Sequence, residues 1–213
     1  MDKTLLNIIL IYSLIILSNF ACTNEQAKNN NRTTTIKHEN TNYVAENDSL
    51  VLEKSEEILK YLKIKDYKSF SSFFHPTLGI QFSPYGYVDS TQDIRLTLHQ
   101  FSDFIDSKNL ILWGHYDGSG SPIKLSVEDY FDEFVYNKDF LHAEITTLNK
   151  MVGSGNSLNN LENVYSGCPF TESHFSGFEE KYGGMDWASL RLVYKKFDEN
   201  FYLVAIVHDQ WTI

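Results

Sequence analysis

The closing stretch SLRLVYKKF, DEN, FYLVAIVHDQW (residues 189–211) constrains the fold most. Two strand-like runs flank a short polar turn, which predicts a terminal hairpin. The second arm is nearly all apolar. It therefore lies centrally in its sheet, covered on both faces. On an extended chain, neighbours face opposite sides, so His208 shares a face with Gln210 and Asp209 with Trp211. Arg191 lies opposite Leu190 and Leu192, as a solvent-facing residue or as a buried partner for Asp186 or Glu172.

The remaining elements come in the order helix, strand, helix, strand. In SLVLEKSEEILKYLKIKD, Val51, Ser55, Ile58 and Leu62 recur at i, i+4, i+7 and i+11, widened by Leu52 and Leu59, and Ser49 is the expected cap. Tyr67, Phe70 and Phe74 keep helical spacing up to Pro76. Residues 77–98 read as extended, FSDFID as a short helical turn, and LILWGHY with IKL as a hairpin about Asp117-Gly118. Ser126 and Asp129 resemble a capping pair ahead of a stripe of Val127, Tyr130, Phe131 and Phe134. AEITTLNKM and FTESHF read as strands around the loop GSGNSLNN, whose glycines are assigned to turn geometry. This order predicts an α+β fold with N-terminal helices packed on a curved antiparallel sheet. It is similar to the cone-shaped fold of nuclear transport factor two and its relatives, in which a bent sheet encloses a pocket.

The N-terminus sets the expected compartment. Lys3 precedes an apolar run from Leu5 to Leu17, interrupted by Asn7, Tyr12 and Ser13. A bilayer-spanning helix needs about 20 apolar residues, whereas a run of this length suits the centre of a secretory signal. Ser18 and Ala21 are small, and Cys22 follows. The pattern resembles the lipobox of bacterial lipoproteins, which implies a leader at 1–21 removed before Cys22 and lipids attached to that thiol. Asn19 and Phe20 depart from the usual pattern. Residues 22–48 are almost wholly polar and read as a flexible tether, and 49–213 as one globular domain. The expected location is the cell envelope, with the membrane as partner through the lipid.

The chain carries a net charge of −10, which argues against binding a nucleic-acid backbone or anionic headgroups. With Cys22 lipidated, Cys168 has no partner for an internal disulfide and reads as a small apolar filler. The segments LWGHYDGSGSPI, GMDWASLRLVY and HDQWTI, with HPTLGIQFSPYGYV and DYFDEFVYNKDF, resemble a group of uncharacterised bacterial lipoproteins. That resemblance implies an envelope location and a single domain, and no activity.

Candidate site residues follow from side-chain chemistry. His75, His115, His174 and His208 are expected towards one end of the sheet, with Glu172 on the face of His174. No HxH, HExxH or CxxC spacing marks a metal site, so no metal or cofactor is assigned. No nucleophile elbow or dinucleotide fingerprint is present, and no catalytic residue is assigned. Tyr85, Tyr87 and Trp187 are the residue types that line a small-ligand pocket. The reading that results is a lipid-anchored, extracytoplasmic domain that binds a small ligand or an envelope protein without catalysis. Its alternative is an envelope hydrolase or metal-dependent enzyme using the histidine and carboxylate cluster.

Overall fold

A computed structural model describes residues 30–155 and 158–212 of the chain, with side chains from residue 45. The expected leader, the lipidation position Cys22 and the first part of the tether lie outside the described residues. The chain divides into two units at Asn42 and Tyr43. Of the first, residues 30–42 are described and are helical. They belong to α1, Asn30–Lys63, which runs back through the segment whose composition predicts a tether. Ser49 is therefore an interior residue of this helix, not its cap, and its hydroxyl donates to Glu53. Neither Pro nor Gly interrupts residues 30–63, so nothing breaks the helical backbone there. No helix among the described residues is long and apolar enough to cross a membrane.

After α1 come α2 (Tyr67–Ser71), β1 (Ile80–Ser83), β2 (Ile94–Leu96) and α3 (Leu98–Ser107). Then follow β3 (Ile111–His115), β4 (Pro122–Leu125), α4 (Val127–Tyr130) and β5 (Ile145–Leu148). The chain ends with α5 (Leu161–Val164), β6 (Phe170–Phe175), β7 (Ala188–Phe197) and β8 (Asn200–Gln210). The fold is α+β. The terminal hairpin is β7–β8, and β8 lies inside a six-stranded sheet of order β2-β1-β8-β7-β6-β5. That sheet is mixed, not antiparallel: β1 pairs with β8 in parallel, Phe82 opposite Ile206. Local turn chemistry pairs sequence neighbours, and nothing local marks a pairing across almost the whole domain. β3 and β4 form a separate two-stranded sheet. The FSDFID turn is the body of α3, which starts from a reciprocal capping box between Thr97 and Gln100.

One face of the large sheet carries Ile80, Phe82, Leu190, Leu192 and Ile206 into the main core. Helices cover it, supplying Val51, Ile58 and Leu62 from α1, Phe70 from α2 and Phe101 from α3. Leu52 of the expected stripe points away and is exposed. Trp113 stacks on Tyr130 at 3.9 Å between ring centroids, and its Nε1 donates to Leu125 O. Phe134 follows in a π-helical turn, Phe131–Val135, that continues α4. This face is filled by aromatic side chains. The opposite face has a small apolar cluster of Val88, Leu161, Phe170, Val193 and Val207 beside a block of polar residues.

Ser55 stitches α1 to the sheet. Its hydroxyl proton goes to Val51 O at 2.9 Å. The Tyr194 hydroxyl at 2.6 Å and the Thr171 hydroxyl at 2.8 Å therefore both donate to Ser55 Oγ. Replacing it strands two buried donors. Ser55→Ala is expected to cost about 1–3 kcal/mol, read as a lower urea midpoint at unchanged slope.

Candidate functional site

The polar block on the second face is set by strand register. Glu172 of β6 lies opposite Arg191 of β7, while Ser189 lies between His174 and Asp209. Alternation along each strand then puts all five on one face. The Arg191 guanidinium is fully buried. Its Nη1 donates to Asp209 Oδ2 at 2.8 Å, and its Nη2 to Glu172 Oε1 at 3.2 Å and Gly153 O at 3.0 Å. Glu172 also accepts from Ser189 Oγ, from Gly153 N at 2.8 Å and from Val152 N at 2.9 Å. Of the two partners proposed for Arg191, Glu172 is realised. Asp186 instead accepts from Glu179 N.

Two carboxylates share one buried cation, and they respond differently. Burial raises the Glu172 carboxyl, but Arg191 and the hydrogen bonds from Ser189, Arg191 and Val152 outweigh it and hold the group below its ordinary value. At Asp209 burial prevails over Arg191, so its carboxyl is raised. Among the described residues Asp209 Oδ1 and Arg191 Nε have no hydrogen-bond partner, although Nε lies 3.2 Å from Glu172 Oε2.

Two loops close over this block at glycines. A Cβ on Gly153 would collide with Ser189 Oγ, the Trp187 ring and Glu172 Oε1. One on Gly86 would sit 2.6 Å from Asp209 Oδ2. Gly153 and Gly155 have no left-handed backbone. Their role is close approach, of both to Trp187 and of Gly153 also to Glu172, which corrects the assignment to turn geometry.

The hydrogen-bond direction within the block decides what chemistry it can perform. Ser189 Oγ lies 2.8 Å from His174 Nδ1 and 2.6 Å from Glu172 Oε1. A carboxylate can only accept, so the single serine proton goes to Glu172 and His174 donates to Ser189. A general base has to take that proton from the serine. His174 is therefore not the base for Ser189; the acceptor of the serine proton is the Glu172 carboxylate, which Arg191 and two loop amides already engage. Burial also holds the His174 imidazole below its ordinary pKa, against the pull of Glu172 and Glu144.

The four histidines do not converge. His75 is buried after α2, where its Nδ1 accepts from Thr77 N and Leu78 N and its ring meets Phe197 and Tyr202. His208 lies near the far end of β8, on the face opposite His174. Its Nδ1 donates to Pro84 O at 3.2 Å, so its Nε2 accepts from Asn137 Nδ2 at 3.3 Å. His115 is exposed on the separate β3–β4 sheet. Strand alternation and the second sheet separate residues that sequence placed at one end. Among the described residues no group of three or more His, Cys, Asp or Glu is placed to hold a metal ion.

The expected aromatic pocket does not assemble either. Tyr85 packs edge-on against Phe134 on the helix-covered side, and its hydroxyl accepts from Asp117 N. Trp187 is buried beneath Gly153 and Gly155 on the other face, and Tyr87 is 51 % exposed. Clefts among the described residues lie elsewhere. One, of about 410 Å³, is lined by Asn149, Leu161, Tyr165, Cys168 and Phe170. Another, of about 480 Å³, is lined by Lys65, Tyr67, Ile105, Glu128 and Asp132. The half-buried Cys168 thiol is pushed up by burial, which disfavours the reactive thiolate.

Sequence reasoning missed Asp93 and Asn160. Asp93 Oδ2 accepts from Ser83 Oγ and from Asp89 N at 2.9 Å, and burial raises its carboxyl to about 6. Asn160 bridges Val88 N and Val88 O from across the loop. Both lie in polar stretches with no distinguishing spacing, and only the hydrogen bonds they make in the fold single them out.

Arg191→Met leaves Glu172 and Asp209 buried without a cation. It is expected to cost about 3–5 kcal/mol in urea unfolding, and the triple variant with Glu172→Gln and Asp209→Asn is expected to recover part of that loss. Unchanged stability of Arg191→Met would remove the cluster from its central place.

A pH series separates two other groups, the buried His208 and the half-buried Asp93. Burial lowers His208 from 6.5 to about 4, so between those values the unfolded chain binds the additional proton. Its contribution is complete above pH 6.5 and lost as the pH falls to 4, about 3 kcal/mol in all. Asp93 runs the other way, since its folded value of about 6 exceeds the ordinary 3.8. Its contribution is complete below 3.8 and lost as the pH rises through 6. Relative to wild type, His208→Gln should therefore gain stability on acidification from pH 6.5 to 4, and Asp93→Asn on raising the pH from 4 to 6. Urea midpoints across that range read both.

No family model, curated protein or solved structure matches the chain.

Proposed function

We propose that the chain is cut before Cys22, is lipidated there, and presents its folded domain outside the cytoplasm as a non-catalytic module that binds a small ligand or an envelope protein. The anchor half of this reading rests on the short apolar run and on small Ala21 ahead of Cys22. The binding half rests on one observation about the polar residues. Those that could do chemistry are engaged in holding loops: Glu172 and Arg191 hold residues 152–153, His208 holds Pro84, and His75 holds residues 77–78. Large apolar side chains are instead exposed outside the strands, among them Tyr87, Phe178, Tyr182, Met185 and Trp211. Aromatic side chains already occupy the helix-covered side of the sheet. On this reading the ligand or partner meets the loops and edges, not the interior of a cone-like sheet.

The alternative, an envelope hydrolase or metal-dependent enzyme, draws on His174, Ser189 and Glu172 alone. The proton order in that trio opposes a serine activated by His174, and the Glu172 carboxylate that accepts the serine proton is already engaged by Arg191 and two loop amides.

Mass spectrometry of the mature N-terminus tests the anchor. The expected product begins at Cys22 and carries diacylglycerol with a further acyl chain, and Cys22→Ser abolishes that modification. An intact leader on a cytosolic product would contradict the assigned location.

A further inference from the structure

Where the turn between α1 and α2 meets α3 and α4, a cleft of about 480 Å³ opens between the helices, within the size range of small-ligand sites. Tyr67 lines it. The residue is only 8 % exposed, and its ring meets Phe131 edge-on at 5.1 Å. Among the described residues its hydroxyl has no hydrogen-bond partner. The oxygen is not enclosed by protein, so it opens on the cleft. A polar group on so nearly buried a side chain is costly to leave unpaired. Burial first, then Asp132 and Glu128, raises the hydroxyl to about 12, so it stays protonated in the field of those two carboxylates.

The charges around this hydroxyl do not cancel. Four carboxylates and two ammonium groups line the cleft. Lys65 pairs with Asp132 at 2.7 Å, its place set by a left-handed backbone at the turn. Lys68 acts on Asp66, which is already committed to the Ser69 amide and hydroxyl as the cap of α2. Asp129 takes the Ser126 hydroxyl at 2.6 Å. Glu128 is left over. Its ion pair among the described residues, to Lys108, is long at 3.9 Å. Glu128 and Asp132 stand about one helical turn apart and both line the cleft, a like-charged spacing that weakens a helix.

We propose that this cleft binds a primary alkylammonium group, of a free amine or of a lysine side chain, with its head among Glu128, Asp132 and the Tyr67 hydroxyl and its stem along Ile105. An ammonium carries three N–H donors and no acceptor. The cleft answers with Glu128, the lone pairs that Lys65 leaves on Asp132, and the Tyr67 oxygen, and bonds from a cation to a carboxylate are strong. Half-buried Ile105 supplies an apolar wall for methylene groups. An anion would meet the excess of negative charge. A metal ion needs several ligands at one point, and among the described residues no group of three or more His, Cys, Asp or Glu is so placed. The site lies on the helices, apart from the exposed loops considered above, and the inference does not depend on lipidation.

The test titrates cadaverine and, separately, Nα-acetyl-lysine methylamide into the full chain in detergent, following the Ile105 methyl resonances. Saturable shifts are expected with both probes, because they share the head group, and the tighter of the two tells a free amine from a side chain. Tetramethylammonium, which has the charge but no N–H, is expected to leave the resonances in place. Tyr67→Phe keeps the ring and removes a hydroxyl that bonds nothing in the protein. Its urea midpoint should be unchanged while the affinity for both probes falls about tenfold. Glu128→Gln is expected to abolish saturation, and Glu199→Gln, at the exposed β7–β8 turn, to leave binding as it was. Absence of saturable shifts with either amine overturns the proposal. So does equal binding by Tyr67→Phe or of tetramethylammonium, which would reduce the effect to diffuse attraction to an acidic surface. Should Tyr67→Phe lower the urea midpoint, Glu128→Gln and the tetramethylammonium comparison decide.

Discussion

A single guanidinium buried against two carboxylates organises the second face of this sheet. Removing a charge from water is costly, and the cost falls only where opposite charge and hydrogen bonds surround it. Arg191 meets that condition through Glu172, Asp209 and the carbonyl of Gly153. Glu172 in turn takes the amides of Val152 and Gly153. Residues 152–153, between β5 and β6, are thus held on the sheet by charge-assisted hydrogen bonds, which are stronger than neutral ones. Glycine at 153 is the steric condition for this clamp, because any side chain there would meet Ser189, Trp187 and Glu172. A buried ion pair contributes little net stability compared with well-packed apolar residues. Its effect here is positional: it specifies where a loop lies.

The other face works by a different physics. Phe70, Phe82, Phe101, Phe131, Trp113 and Tyr130 meet edge-on, tilted or stacked, so helices and sheet are joined by apolar burial over a wide area. Directional contacts are few on that side, and two of them do specific work: Ser55 fixes the height of α1 on the sheet, and His208 fixes the chain after β1. Aromatic packing on one side and an ionic clamp on the other leave β8 enclosed on both faces. Its interior position in the sheet has the same cause.

Much of this was legible in the residues before any coordinates. Alternation put Arg191 on the face away from Leu190 and Leu192, with Glu172 among its offered partners, and helical spacing picked out Tyr67, Phe70, Tyr130 and Phe134, all of which are buried. Phe74 is buried too, but beyond the end of α2, in a bridge to Leu203. What stayed hidden was non-local. The parallel pairing of β1 with β8 joins residues far apart in the chain, and turn signals describe only adjacent strands. The histidines were grouped by their position along strands, which does not say that one strand face or a separate hairpin divides them. Glycine was misread because sequence cannot separate a residue needed for its backbone freedom from one needed for its lack of a side chain. The helical course of residues 30–48 was missed for a related reason. A polar composition removes the apolar gain from packing but does not itself prevent helix formation.

The most direct test of the clamp is native-state hydrogen exchange at the Val152 and Gly153 amides. Held by a buried carboxylate, these loop amides should open only with the sheet and exchange as slowly as those in the middle of β7. Exchange at the rates of an open surface loop would show that the Glu172–Arg191 pair does not hold the segment, and would contradict the structural role assigned to that cluster.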